Sequence, residues 1–221
     1  VPADRLIPLP HDVDFDTAAA LVLQGLTAQY LLRDSHPIMR GETALVHAAA
    51  GGVGQLLVQL AVQAGARVLA LASTVAKTAV ATAAGAHATA TYDDDWVAIA
   101  QAFGEGGVDV AYDSVGSTLH DSLRAVRTGG RVVFYGMAGG NPEPLDARVL
   151  MDGSKTLTGG DLWNVLRTKE DRRERAADLF AAVRTGALRV NIDARFALAD
   201  GAAAHAHIES RRAVGKVLLI P

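Results

Sequence analysis

Cysteine is absent from the 221 residues, which excludes a disulfide framework and any thiolate metal site, and fits a reducing compartment. No run of eighteen apolar residues occurs, and the opening Val1-Pro2-Ala3-Asp4 has neither the basic patch nor the apolar stretch of a signal peptide. A cytoplasmic location is therefore expected, and a membrane partner is not. Residue 1 is Val rather than Met, so the gene is expected to begin elsewhere. An excess of positive charge is also missing: 21 Lys and Arg stand against 24 Asp and Glu, a net charge of -3. No basic field exists to hold nucleic acid, and Trp96 and Trp163 are too isolated to stack bases. A Gly-x-Ser-x-Gly elbow and a Cys-His couple are both lacking, so covalent hydrolase chemistry has no candidate. No metal site is expected. His205 and His207 stand two apart, on different sides of a helix, and Asp93-Asp94-Asp95 reads as a helix cap before Trp96. Half the residues are apolar and a fifth charged, the composition of a folded domain with a real core.

What is present is an alternation. Leu6-Ile7-Pro8-Leu9-Pro10 reads as a connector or edge strand. A helix capped by Asp14 or Asp16 is expected to run to about Leu32. Apolar, β-branched runs at 43–47, 67–72, 88–92, 108–112 and 131–135 read as buried parallel strands. Helix-like stretches at 55–64, 75–84, 95–103 and 117–126 separate them. Strands joined by single helices demand right-handed crossovers and a sheet covered on both faces, an α/β doubly wound parallel sheet, or Rossmann fold. A glycine- and proline-rich loop follows, then a sixth strand at 155–159. A charged helix opens with a capping-box signal at Thr168 and faces the core with Ala176, Ala177, Leu179, Phe180 and Val183. The tail reads strand (188–196), helix (201–211) and strand (216–220).

The motif with the most chemistry is His47-Ala48-Ala49-Ala50-Gly51-Gly52-Val53-Gly54, between the first buried strand and a helix. Gly51 and Gly52 let the backbone approach a pyrophosphate, Gly54 lets the helix pack on the strand, and the helix N-terminus offers free N–H groups. An NAD site usually ends its second strand in an acid that bonds the ribose 2′-hydroxyl. Here the strand ends Ala72-Ser73-Thr74 with no acid, and Lys77 follows one turn into the next helix. This favours NADPH over NADH. Alternatively, Ser73 or Thr74 caps the helix and Lys77 is solvated.

The runs Gly25-Leu26-Thr27-Ala28-Gln29-Tyr30, Leu45 through Gly54, Val110-Ala111-Tyr112-Asp113-Ser114-Val115-Gly116 and Gly215 through Pro221 together resemble the zinc-free quinone oxidoreductases. These are the zeta-crystallin-like branch of the medium-chain dehydrogenase/reductase superfamily. The resemblance implies NADPH as cofactor, a quinone or enone as substrate, and hydride transfer without metal. It implies a pyrophosphate loop of Ala48, Gly51, Gly52, Val53 and Gly54, and a 2′-phosphate pocket of Ser73, Lys77, Tyr92 and Arg211. Ser114, Val115 and Gly116, with Tyr135, Gly136 and Met137, would lie along the nicotinamide. Thr27 resembles the family threonine near that ring, although a helical threonine can simply bond its own backbone. A homodimer is implied, paired through an edge strand near Lys155 and Gly159.

The family also carries an amino-terminal, barrel-like (GroES-like) catalytic domain, which this sequence is expected to lack. Residues 1–15 would then be a connector remnant of it and 16–187 the NADPH-binding domain. Residues 188–221 would be a C-terminal segment returning to the missing domain, its strands without partners. Where the family shows Thr-Arg-Pro after the sixth strand, this sequence has Gly159-Gly160-Asp161. An enoyl-thioester reductase of the same branch, a non-catalytic NADPH-binding sensor and a split enzyme are the competing readings.

Overall fold

A computed structural model describes residues 2–221, the side chain of Asp4 excepted; Val1, the first residue of the expected connector, lies outside them. Residues 6–10 run as a connector without strand pairing. Helix α1 (Phe15–Tyr30) opens where the Asp14 carboxylate accepts from the Thr17 amide at 2.6 Å, and a π turn over Leu31–Ser35 ends it. Strand β1 (Thr43–Val46) then begins a regular alternation: α2 (Gly52–Gln63), β2 (Arg67–Ala72), α3 (Val75–Ala83), β3 (Ala88–Thr91), α4 (Trp96–Phe103), β4 (Val108–Asp113), α5 (Leu119–Ala125) and β5 (Val126–Phe134). A short helix α6 (Arg148–Asp152) leads to β6 (Thr156–Gly159). All six strands are parallel, in the order β3-β2-β1-β4-β5-β6.

Side chains alternate across each strand, and that parity divides the core in two. Ala44 and Val46 of β1, Val68 and Ala70 of β2, and Val110 and Tyr112 of β4 face the side of α1 and α2. Leu45, Leu69, Leu71 and Ala111 face the side of α4 and α5. Each buried leucine contributes about 1.5–3 kcal/mol, so a register slip of one residue would invert the whole pattern.

From β5 onward the structure departs from the sequence expectation in four places. Strand β5 begins at Val126, inside the expected fifth helix, because Val126 is buried as the β partner of Val108. After the short helix α7 (Leu162–Val165), helix α8 (Lys169–Arg184) has the expected Thr168 capping box, but Ala177 is exposed; Ala176, Leu179 and Phe180 form the buried stripe. Leu188 is buried against the end of α8, where its amide bonds the Ala182 carbonyl, so β7 (Ile192–Ala197) starts four residues later than expected. The tail strands do not lack partners. After helix α9 (Gly201–Glu209), β8 (Lys216–Ile220) pairs in parallel with β7, the helix serving as the crossover that parallel strands require. This small unit docks through Gln59, which exchanges two bonds with the Arg189 backbone, and Gln55, which donates to the Val214 carbonyl.

Candidate functional site

The strand order reverses between β1 and β4, so the turns leaving their C-terminal ends diverge and leave a crevice, the place where open α/β sheets take ligands. The turn after β1 holds Ala48 at φ +47°, a left-handed conformation, with the Gly51 amide bonded to the Ala48 carbonyl at 2.8 Å. Gly51 is the N-cap of α2, and no side chain caps the helix. The first-turn N–H groups of Gly52, Val53 and Gly54 are the donors that any helix leaves open to an anion. A Cβ on Gly54 would run into the Ala48 carbonyl and Ala49 Cα, and one on Gly52 into the Gln24 amide. At Gly54 the obstacle is backbone, so the cradle tolerates only glycine there, whereas at Gly52 it is the end of a side chain that can move aside.

At the end of β2 the structure gathers part of the expected 2′-phosphate pocket. Ser73 is exposed, and Thr74 caps α3 by accepting from the Lys77 amide. The Lys77 ammonium donates to the Arg211 carbonyl at 2.5 Å, joining segments 134 residues apart. Arg211 itself is exposed in a turn at φ +58°. Tyr92 has a different partner set: its hydroxyl accepts from the Ala48 amide at 2.9 Å and lies 3.3 Å from His47 Nδ1, beneath the glycine loop. Burial pushes its pKa up to about 12.

The turns after β4 and β5 are laced together. The Ala138 amide bonds the Ser114 carbonyl at 3.0 Å, and the Gly139 amide bonds the Val115 carbonyl at 2.8 Å. Gly116, at φ +86°, and Gly136 each lie so close to the facing backbone that a side chain would meet it. Tyr135 is half-buried, and Met137 is 57% exposed. The Thr27 hydroxyl bonds the Leu23 carbonyl one turn back at 2.8 Å.

Between the two turns lies a buried polar set that motif reading passed over. Asp113 and His47 are fully buried. Asp113 Oδ1 accepts from the amides of Val115 and Gly116, and its Oδ2 from the hydroxyls of Thr118 and Ser122. Burial alone would raise this carboxyl, but the His47 ring and those donors hold it below its usual range. Burial lowers the His47 pKa, opposed by the nearby carboxylates of Asp113 and Asp121. The signal for both residues was parity. A histidine two residues after Leu45 and an aspartate two after Ala111 must point to the α4–α5 side of the sheet, into apolar surroundings. Lys216 was also missed. It is half-buried beside Gly52, Gln24 and Asn191, and burial lowers its pKa.

Among the described residues, no group of three or more His, Asp or Glu could hold a metal ion, and no helix is long and apolar enough to cross a membrane. His207 pairs with Asp193 at 2.6 Å, and Asp95 caps α4.

Residues 84–219 match the zinc-binding dehydrogenase family. The whole chain is 38% identical to a 2-haloacrylate reductase of Burkholderia sp, of which it covers 68%. It is 37% identical over 99% of its length to a quinone oxidoreductase of Pseudomonas aeruginosa, again covering 68% of the relative. Its fold matches that of the Escherichia coli quinone oxidoreductase solved in complex with NADPH, with a TM-score of 0.94 at 34% identity, covering 99% of this chain and 69% of that one. The chain thus spans about two thirds of the length of these relatives.

Proposed function

The chain belongs to the zinc-binding dehydrogenase family, in its zinc-free quinone oxidoreductase branch, and on that premise we propose that it is the NADPH-binding part of an oxidoreductase that reduces a quinone or enone. The observation that carries this reading is the uncapped, glycine-packed N-terminus of α2, set beside an acid-free β2 end where Lys77 meets the Arg211 turn. The residues present fit a dinucleotide 2′-phosphate. Orphan N–H groups and close-approach glycines suit a pyrophosphate, and an exposed serine with two cations suits a dianion.

When bound, NADPH supplies a hydride from its nicotinamide C4. The chain's own part is binding and orientation. Gly52, Val53 and Gly54 donate N–H groups to the pyrophosphate; Ser73, Lys77 and Arg211 hold the 2′-phosphate. The backbone of Ser114–Gly116 and Tyr135–Met137 would hold the carboxamide. Tyr92 acts on the loop through the Ala48 amide rather than on the phosphate. Placement of two reactants in contact distance supplies most of such a rate gain. Residues 188–221 would join the catalytic domain that the relatives' extra length contains. Two copies would pair along the free edge of β6, around which Val149, Met151 and Trp163 are exposed.

The test is consumption of NADPH in the presence of a quinone, an enone or a crotonyl thioester, with the catalytic domain present. Turnover of the quinone or enone is expected. Turnover of the thioester alone would favour an enoyl-thioester reductase. Cofactor binding without any turnover would favour a sensor.

A further inference from the structure

With Asp113 ionised, as its four donors require, the heavy-atom geometry gives the buried set between the two turns a direction. Asp113 Oδ2, an acceptor only, lies 2.6 Å from Ser122 Oγ, so the serine proton is donated to it. Ser122 Oγ then has only lone pairs for His47 Nε2 at 3.0 Å, and Nε2 must carry a proton. The Tyr92 hydroxyl already accepts from the Ala48 N–H at 2.9 Å, and the acceptor within reach of its own proton is His47 Nδ1 at 3.3 Å, which is therefore bare. Two rings hold the imidazole in place, Tyr92 stacked at 5.8 Å and Trp96 edge-on at 5.1 Å. Every polar atom of the set is satisfied, which a buried network needs to be rigid.

We propose that His47, as the Nε2–H tautomer, is a positioning residue in a one-way hydrogen-bond relay from the Ala48 amide through Tyr92, His47 and Ser122 to Asp113. The relay fixes the glycine loop and the 114–116 turn as one unit. These two turns leave different strands, and among the described residues no other side chain in the site bridges them. A dinucleotide lying across the crevice needs both at a set separation, because a small displacement of one end moves the other off its partners. The functional consequence rests on the NADPH reading; the relay itself does not.

The test uses Tyr92→Phe and Ser122→Ala, the two side chains that flank His47 in the relay, singly and together, with NADPH and 2′-phospho-ADP-ribose as probes. The second probe lacks the nicotinamide that the 114–116 turn would hold. The relay predicts that Ser122→Ala nonetheless weakens it, by about threefold to tenfold, the cost of one hydrogen bond. The double variant should bind no worse than the weaker single one, since either change breaks the same chain. An unchanged affinity in Ser122→Ala, or single effects that multiply, would overturn the proposal.

Nitrogen NMR of the unmodified protein supplies a reading that needs no variant to fold: a protonated Nε2 and bare Nδ1 on His47 are expected, and the reverse tautomer would overturn the relay. Should the unmodified chain bind neither probe, the NADPH reading fails. The relay is then decided by the Ala48 amide resonance in Ser122→Ala, which must move.

Discussion

Tyr112 sits at the end of β4 with its ring in the core and a hydroxyl that is buried without a partner among the described residues. A buried hydroxyl without a hydrogen bond costs about 1–3 kcal/mol. Tyr112→Phe is therefore expected to raise stability by about 1 kcal/mol in urea unfolding, against the usual direction of core substitutions. His47 gives the opposite lesson. Its folded pKa lies below the ordinary 6.5 because of burial, opposed by the nearby Asp113 and Asp121. Between the folded value and 6.5 the unfolded chain binds a proton that the folded chain does not, so stability falls as pH drops through that window. The slope approaches about 1.4 kcal/mol per pH unit. Asp113, depressed below 3.8, adds a further loss at lower pH, as that carboxylate is protonated. Urea unfolding at about pH 7.5 and about pH 5.5 should show the first loss, and His47→Gln should flatten it. An equal slope in the variant would assign the acid sensitivity elsewhere.

At the scale of elements, what could be read in the sequence depended on how many constraints agreed. The stretch from β1 through α2 combined an apolar run, a glycine triplet and a helical stripe, and the close contact of Gly54 with the Ala48 carbonyl is what that third glycine foretold. Gly54→Ala should lower unfolding free energy by about 1–3 kcal/mol, as overpacking does, and weaken NADPH in a titration. Unchanged values would mean that the turn is looser than its geometry. The start of β5 was misread because an apolar Val126 suits a last helical turn and a first strand residue equally. Only its pairing with Val108 decides. Leu188 was misread as strand for a similar reason, its burial coming from the end of α8. The mutual pairing of β7 and β8 was legible in principle, since strand, helix and strand in succession is the pattern of a parallel crossover. The polar relay stayed hidden because it joins β1, β3, β4 and α5, and no local pattern reports a contact across 75 residues.

For the molecule as a whole, six parallel strands with a reversal between β1 and β4 concentrate the open helix end, the Lys77 and Arg211 corner and the laced 114–116 and 135–140 turns along one rim of the sheet. The chain's electrostatics are local, since a net charge of -3 gives no general attraction for anions. Selectivity for a 2′-phosphate must come from Ser73, Lys77 and Arg211 themselves. The most direct test of the account is therefore a calorimetric titration of the unmodified chain and of Lys77→Glu with NADPH and NADH. The account predicts that NADPH binds the unmodified chain at least about tenfold tighter than NADH, and that the variant loses the difference. Equal affinity for the two cofactors in the unmodified chain, or a preference that survives Lys77→Glu, would contradict it.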